Sequence, residues 1–469
     1  MTTTQVRPAS SARPTQPASG LLLTVLLGGL FMSLLDISIV NIAIGPLRDG
    51  LHASGAQLQL IVSGYVMTYA VLLVTGARLG GRLGHRTVFR CGLAGFVLTS
   101  AACGLAPTAP ALIGCRLAQG AAAAFMLPQV MSLIQVCFPA GPSRSRALGW
   151  YGLVLASGTV SGQLLGGVLL QLDVAGLGWR SIFLVNVPIG LVLLWLSARA
   201  LPRHTRTPGT NLDVAGTGLL GAIIGLLVVP LVLGHENGWP VWGFVAWGIA
   251  ALLVPVFVVV ERAASAPVVP GDLLRTPGLL TGLTVVLVVI TGYAAYLFVF
   301  SVHLQTTLGM SPLGTGLTFL PLAIGFAASS LLSPHLPAHA TRWLILAGLL
   351  LCAVVFVALG QVVGDGNRPG AVLLVFFGLV GVGQGFAITP VMGIALSRVP
   401  VRRAGEASGV LSCAFQLAQV LGVAAVGSLF LSVADRSGTA SAAHLICVLI
   451  ALGLGLGVVA ARRLLIVTR

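Results

Sequence analysis

Gln119-Gly120, Pro128, Pro139, Arg144 and Arg146-Ala147 follow one another through a long apolar stretch and the basic loop after it. The same order returns as Gln384-Gly385, Pro390, Pro400, Arg402 and Arg403-Ala404-Gly405. Pro128 and Pro390 lie 262 residues apart, Pro139 and Pro400 lie 261 apart, and the starts of the two halves, Leu21 and Gly278, lie 257 apart. An offset that nearly repeats at three places marks a duplication. A parallel repeat in a membrane chain places its ligand site between the two copies, near the bilayer midplane.

The composition supports a membrane chain. Of 469 residues, 57% are hydrophobic and 7% charged, against roughly 25% charged in soluble domains. Runs of about 20 apolar residues cross a bilayer as helices. Fourteen such runs have cores near 21–44, 58–77, 88–106, 110–137, 147–171, 180–200, 213–234, 241–260, 278–301, 312–333, 342–363, 370–392, 407–431 and 442–461. The expected fold is an all-α polytopic membrane protein of 14 transmembrane helices, two six-helix bundles plus two inserted helices. Its division is a tail 1–20, a bundle 21–200, a linker with two inserted helices 201–270, a bundle 271–462 and a tail 463–469.

All 25 basic residues are arginine, and there are ten acids. The missing lysine excludes the phosphate-binding loop G-x-x-x-x-G-K-[ST], and with it an ATP-driven pump built on this chain alone. It also excludes Schiff-base and S-x-x-K chemistry. Twenty arginines fall in the tails and loops on one side, four (Arg48, Arg180, Arg368, Arg436) on the other, and Arg116 within a span. That bias places both termini in the cytoplasm. Nucleic acid is not expected as a partner, because the arginines punctuate apolar runs instead of forming a basic face. The first apolar run is too long for a signal peptide and reads as a retained helix. Cys91, Cys103, Cys115, Cys137, Cys352, Cys413 and Cys447 show no ligand spacing and read as small core residues. No metal or other cofactor is expected. H-E-x-x-H, G-x-S-x-G and dinucleotide fingerprints are missing, which speaks against an enzyme.

An ionisable residue deep in a span costs roughly 2.5–3.5 kcal/mol on insertion scales, so each is a functional candidate. Asp36 in span 1 and Arg116 in span 4 qualify. With span 1 running outward and span 4 inward, both lie in the outer half of the membrane, where they can pair. Asp36 reads either as the proton-coupling carboxylate, for which proton and cationic substrate compete, or as a structural carboxylate. Arg116 reads either as its functional partner or as a permanent counter-ion. Gln119, one turn on, shares the face of Arg116. Asn41, Tyr65, Tyr293, Tyr296, Gln384, Gln416 and Gln419 are candidates to line a substrate cavity, or else interhelical hydrogen-bond partners. His303 is expected at the water interface. Gly158, Gly162 and Gly166, spaced by four, offer a smooth surface for helix contact, static or sliding.

These residues together resemble the major facilitator superfamily, in particular its fourteen-span drug:proton antiporters, over nearly the whole chain. The resemblance rests on Leu35 to Asn41, on Arg116 to Gly120 with Pro128, and most specifically on Gly178-Trp179-Arg180-Ser181-Ile182-Phe183-Leu184-Val185-Asn186-Val187-Pro188-Ile189-Gly190. Leu212-Asp213 to Gly216, Gln305 to Pro312 with Gly316 and Pro321, and Gly405-Glu406-Ala407-Ser408-Gly409 are similar too. Two places depart from the family pattern. In the gating loop Gly76, Arg78, Gly80, Arg82, Gly84 and Arg86, the usual acid is Gly81. In the gating helix Gly162-Gln163-Leu164-Leu165-Gly166-Gly167, the usual proline is Gln163.

The resemblance implies alternating access, with spans 1–6 rocking against spans 9–14. It implies proton-coupled export of small amphipathic drugs or antibiotics across a bacterial cytoplasmic membrane, by a monomer in the lipid bilayer. One charge crossing 100 mV is worth about 2.3 kcal/mol and a tenfold gradient about 1.4 kcal/mol. One proton therefore sustains one to two decades of a neutral compound. The alternatives are an exporter of a dedicated metabolite (siderophore, amino acid or lipid), with Arg116 holding a carboxylate, and, more distantly, a membrane sensor without transport.

Overall fold

The computed structural model describes residues 19–138, 142–173, 176–202, 214–234, 238–264, 267, 271–333, 336–364, 370–396, 399 and 404–467. Most of the 1–20 tail, Pro139, Leu212-Asp213, Arg368, Pro400, Arg402 and Arg403 lie outside these residues, as do the side chains of Arg144, Glu406, Ser408 and Cys413. Every regular element among them is helical: α1 (Ser19–Ile42), α2 (Ile44–Leu51), α3 (Gly55–Leu83), α4 (His85–Gly104), α5 (Ala109–Cys137) and α6 (Pro142–Leu172) come first. A 3-10 turn (Gly178–Arg180) leads to α7 (Ser181–Leu184) and α8 (Asn186–Ala200), followed by α9 (Val214–Gly234), α10 (Val241–Ala263) and α11 (Gly271–Leu274). The remainder is α12 (Leu279–Thr306), α13 (Pro312–Leu332), α14 (Ala338–Gly364), α15 (Gly370–Leu396), α16 (Ala404–Leu421), a π turn (Gly422–Val426) and α17 (Gly427–Val467).

Twelve helices among the described residues are long and apolar enough to span a membrane, against the fourteen expected. One difference is α6, a 31-residue helix with several side chains outside the described set. The other is a single 53-residue stretch, Ala414–Ile466, that covers two of the expected spans. The 41 residues of α17 would measure about 60 Å as a straight helix, twice the thickness of a hydrocarbon core. Gly438 breaks it, with φ 82° and ψ 160°, a conformation open to glycine.

The duplication is visible in the packing. In the first half α5 lies on α3, and a Cβ on Gly120 would overlap the carbonyl of Tyr65. In the second half α15 lies on α13, and a Cβ on Gly385, the matching glycine, would meet the carbonyl of Phe326 at 2.7 Å. Helices that are apolar on all sides gain nothing from burial against one another in lipid, so small residues that let backbones approach supply the contact.

Two seams join the halves, α3 against α16 and α6 against α13. At one end Gly45 N donates to Gln305 Oε1 at 3.3 Å and Ser428 Oγ to Gln59 Oε1 at 3.0 Å. The inserted pair covers the first seam: α9 packs on α3 and on the π turn, and α10 packs on α9. Ser428 Oγ is also 2.6 Å from the carbonyl of Leu231, in the last turn of α9, where helical partners run out. Gln59, Ser428 and Leu231 thus tie both halves to the insertion. We expect Ser428→Ala to lower stability by about 1 kcal/mol, since interhelical bonds in membranes average ~0.6 kcal/mol. Reversible unfolding of the purified protein in mixed micelles checks this.

Candidate functional site

The deepest polar side chains converge inside the first half. On α1, Ser33 and Asp36 are three residues apart and share a face; on α5, Arg116 and Gln119 do the same. The chain between α6 and α8 is broken into a 3-10 turn, the short α7 and a residue outside both helices, Val185, so Asn186 opens α8 within reach of α1. All of these side chains are fully buried.

Asp36 accepts from three of them. Arg116 Nη1 forms an ion pair with Oδ2, while Gln119 Nε2 and Asn186 Nδ2 each donate to Oδ1 at 3.0 Å. The guanidinium also donates to Gln119 Oε1 at 2.8 Å and, through Nε, to the carbonyl of Ile61 at 3.0 Å. Its carbon lies 4.6 Å from the Tyr65 ring centre and 5.7 Å from that of Phe183. Tyr65 Oη is 2.5 Å from Ser33 Oγ; Asn186 Nδ2 reaches Ser100 Oγ at 3.1 Å; Cys103 Sγ approaches Gln119 Oε1 at 3.6 Å. One positive and one negative charge therefore sit in a shared hydrogen-bond network, the arrangement in which a buried pair is tolerated. Two atoms within it, Arg116 Nη2 and Asn186 Oδ1, have no hydrogen-bond partner among the described residues.

Of the residues singled out from sequence, the structure brings Asp36, Arg116, Gln119 and Tyr65 together. Asn41 is buried and donates to the carbonyl of Ile37 on its own helix at 3.2 Å. Gln419 donates to Gln416 at 2.8 Å on α16. Gln384 is buried on α15, and Tyr293 is half-buried on α12. Tyr296 is enclosed by the rings of Phe300, Phe319, Phe356 and Phe377 at 5.0–5.9 Å, with its hydroxyl unpartnered among the described residues. His303 is not at a water interface: it is 3% exposed and lies 3.1 Å from Thr439 Oγ1. Cys91 is exposed, contrary to its reading as a core residue. Ser33, Asn186 and Ser100 are members of the network that sequence reasoning did not single out. Asn186 lay inside the most specific string, yet nothing local marks it as a partner of Asp36.

The glycine surface of α6 divides by direction. Cβ atoms on Gly158, Gly162 and Gly166 would meet Leu34, Leu35 and Ile39 of α1 at 2.6–2.7 Å, all within the first half. Gly167 instead faces Leu313 Cα of α13 at 2.7 Å, and Gly316 faces the carbonyl of Gln163 at 2.8 Å, both across the seam. The side chain of Gln163 is buried, with Nε2 unpartnered among the described residues.

The segment read from sequence as a gating loop is helical up to Leu83, with Gly84 alone between α3 and α4, and this end of α3 is held by a residue that sequence reasoning passed over. Gln129 of α5 donates to the carbonyl of Gly76 at 2.8 Å and meets His85 Nδ1 at 2.8 Å, with Gly80 packed against it. Gly84 makes the turn with φ 95°. Arg78 reaches the carbonyl of Pro267, Arg86 that of Ala198 at 2.8 Å, and Arg82 is exposed.

Asn186→Leu deletes one donor to the Asp36 carboxylate and the contact to Ser100. Hydrogen bonds to charged groups are worth about 1.5–3 kcal/mol. A loss of that size in the thermal stability of the purified protein is the expected outcome.

Comparison with known proteins places this geometry. The Major Facilitator Superfamily profile matches residues 26–423. The chain is 34% identical over 426 residues to a probable actinorhodin transporter of Streptomyces coelicolor, covering 89% of this chain and 74% of that protein. It is 36% identical over 405 residues to the cephamycin export protein CmcT of Amycolatopsis lactamdurans (84% and 81% covered). It is 32% identical over 402 residues to the multidrug resistance protein Stp of Mycobacterium tuberculosis (85% and 74% covered). In shape it is similar to a bacterial homolog of the human lysosomal transporter Spinster in an inward-facing, unoccupied conformation, with TM-score 0.68 and 17% identity over 96% of this chain and 98% of that one. A POT family transporter in complex with a thioalcohol conjugated peptide matches with TM-score 0.67 and 14% identity, over 95% and 96%. Sequence and fold agree: the chain is a multi-pass membrane transporter and belongs to the Major Facilitator Superfamily.

Proposed function

We propose that this chain exports amphipathic organic compounds of the antibiotic and drug class from the cytoplasm in exchange for protons. The observation that carries the reading is the buried Asp36–Arg116 pair, braced by Gln119 and Asn186. Relatives named for antibiotic and multidrug export support the substrate class.

A proton arriving at Asp36 releases the guanidinium, and a cationic or polar substrate competes for the same groups. Arg116 has no proton to give up, so in this proposal the exchanged proton is carried by Asp36. A mechanical route to the seam is short: Leu35, the neighbour of Asp36, lies under Gly162, and Gln163, next on α6, touches Gly316 of the other half. Breaking the pair changes the seat of α1 on α6, and α6 carries the seam.

In this proposal residues 21–200 and 271–462 are the rocking bundles, 201–270 is the insertion, both termini are cytoplasmic, and the protein works as a monomer. The end joined by Gly45 and Gln305 then faces outward, so the described conformation is closed to the outside. Asn41, Tyr293, Gln384, Gln416 and Gln419 are cavity candidates, and Tyr296 contributes through its aromatic cluster.

The test is proton release from inverted membrane vesicles challenged with neutral, monocationic and dicationic compounds. With one deep acid, the expected stoichiometry is near one, and dications are exported poorly. Dications exported as well as monocations would count against Asp36 as the single coupling group. The dedicated-metabolite reading has its own support in the single compounds for which the actinorhodin and cephamycin relatives are named. A response to one compound class alone would favour it.

A further inference from the structure

The helices of the two seams, α3, α6, α13 and α16, line the interface between the halves together with α1 and α12. Residues 55–77 of α3, 147–172 of α6, 279–302 of α12, 312–332 of α13 and 407–421 of α16 contain no Asp, Glu, Arg, Lys or His. Asp36 on α1 is fully buried, and both its oxygens are occupied by Arg116, Gln119 and Asn186. An organic cation between the halves therefore meets no open carboxylate to offset its lost hydration, the largest desolvation cost a solute can bring.

What the interface offers is amide, at matching places in the two copies. The contact of Gly162 with the Leu35 carbonyl of α1 returns as Gly422 against the Thr291 carbonyl of α12, 260 and 256 residues further on. Measured round the helix from those glycines at about 100° per residue, Gln163 stands at about 100°, Gln419 at about 60° and Gln416 at about 120°. On α6 this sector lies between Gly162, against α1, and Gly167, which faces α13 across the seam. On α16 it lies between Gly422, against α12, and Val420, which joins the core containing Tyr65 and Val66 of α3. Along the axis Gln419 and Gln416 lie about 6 and 10 Å nearer the start of the helix than the point matching Gln163, the length of a few fused rings. Gln163 is 3% exposed, with Nε2 unpartnered among the described residues. Gln419 Nε2 donates to Gln416 Oε1, so the donors of Gln416 are not used within the pair.

We propose that Gln163 from one half and Gln416 from the other, oriented by Gln419, bind the substrate and select a neutral, carbonyl-bearing amphiphile over an organic cation. This rests on the export reading and narrows it, since that reading admits neutral and cationic compounds alike. A neutral carbonyl loses only its hydrogen bonds on entering, and amide donors return them. Exchange of a neutral compound for one proton also moves one net charge inward. A potential of 100 mV by itself then sustains about a 50-fold gradient, whereas a monocation exchanged for a proton gains nothing from it.

The test is equilibrium dialysis of the purified full chain in micelles. The probes are two neutral carbonyl-bearing compounds, chloramphenicol and progesterone, and two monocations, ethidium and tetraphenylphosphonium. A neutral probe should bind more tightly than either cation. Gln163→Leu and Gln416→Leu should each weaken it about five-fold, the worth of one neutral hydrogen bond, without lowering the melting temperature. Gln163→Glu, at about pH 8 where carboxyls ionise, should weaken the neutral probe and strengthen ethidium, an exchange of preference that a merely structural residue would not produce. The proposal is overturned if a cation binds the wild type as tightly as the neutral probes, if neither neutral probe binds, or if both leucine variants bind them as the wild type does. Uptake into inverted vesicles keeps the two readings apart: a neutral probe that binds through these glutamines and is not taken up would overturn export and leave the site standing.

Discussion

Asp36→Asn is expected to abolish compound-driven proton release in inverted vesicles, through two separable effects. The substitution removes the proposed proton carrier, and it leaves Arg116 as an uncompensated cation in a fully buried site. Deleting one partner of a buried ion pair costs about 3–5 kcal/mol, a large part of the roughly 5–15 kcal/mol that holds a folded protein together. The single variant is therefore expected to be scarce in the membrane as well as inactive. Asp36→Asn combined with Arg116→Gln removes both charges and the desolvation problem with them. The double variant should return toward wild-type abundance and thermal stability while proton release stays absent. Recovery of antiport in the double variant would place the coupling proton elsewhere. A double variant as scarce as the single one would show that the surrounding donors need the charges to order them.

Gly316→Val is expected to slow transport at least about ten-fold with little loss of folded protein. Its Cβ would stand 2.8 Å from the carbonyl of Gln163, across the α6–α13 seam, and a backbone carbonyl cannot rotate out of the way. Overpacking costs about 1–3 kcal/mol, incurred only in the state where this end is closed. The balance between the two access states then shifts by about five- to 150-fold. Spin labels at Arg48 and Thr307, near the Gly45–Gln305 contact, should report a longer distance in the variant by pulsed electron resonance. Gly162→Val is the contrast. Its Cβ would meet Leu35 O at 2.6 Å within one half, so it should lower thermal stability and leave that distance unchanged. A longer distance in both variants would contradict the division of the α6 surface into a static face and a moving one.

How much of the site was legible follows from what each residue type costs. Asp36 and Arg116 stood out because a charge in an apolar run has no cheap explanation. Gln119 followed from helical spacing, since three residues put it on the face of Arg116. Asn186 and Ser100 were not legible in the same way, because a neutral amide or hydroxyl in a span is inexpensive and common. Gln129 shows the same limit. It anchors the turn where Gly81 replaces the family's acid, yet along the chain it is one glutamine among several in apolar helices. The glycine stripe was visible as a pattern, but whether it slides or stays still depends on which helix lies opposite.

The membrane class, the duplication, the near count of spans, the two charges within spans and the family were all readable along the chain, because each is a local sum or a repeated order. Only the tertiary structure decided that Asp36 answers to Asn186 as well as Arg116. Only it decided that Gly158, Gly162 and Gly166 pack within a half while Gly167 and Gly316 meet across the seam. The same holds for α9, which closes over the α3–α16 seam, and for Gln163 and Gln416, which take matching places in the two halves. The physical reason is rotation. A helix apolar on every side carries no stripe to say which way it faces in lipid. Its rotation and its partners are set by close backbone approach and by a few buried hydrogen bonds, and both exist only once the helices are assembled.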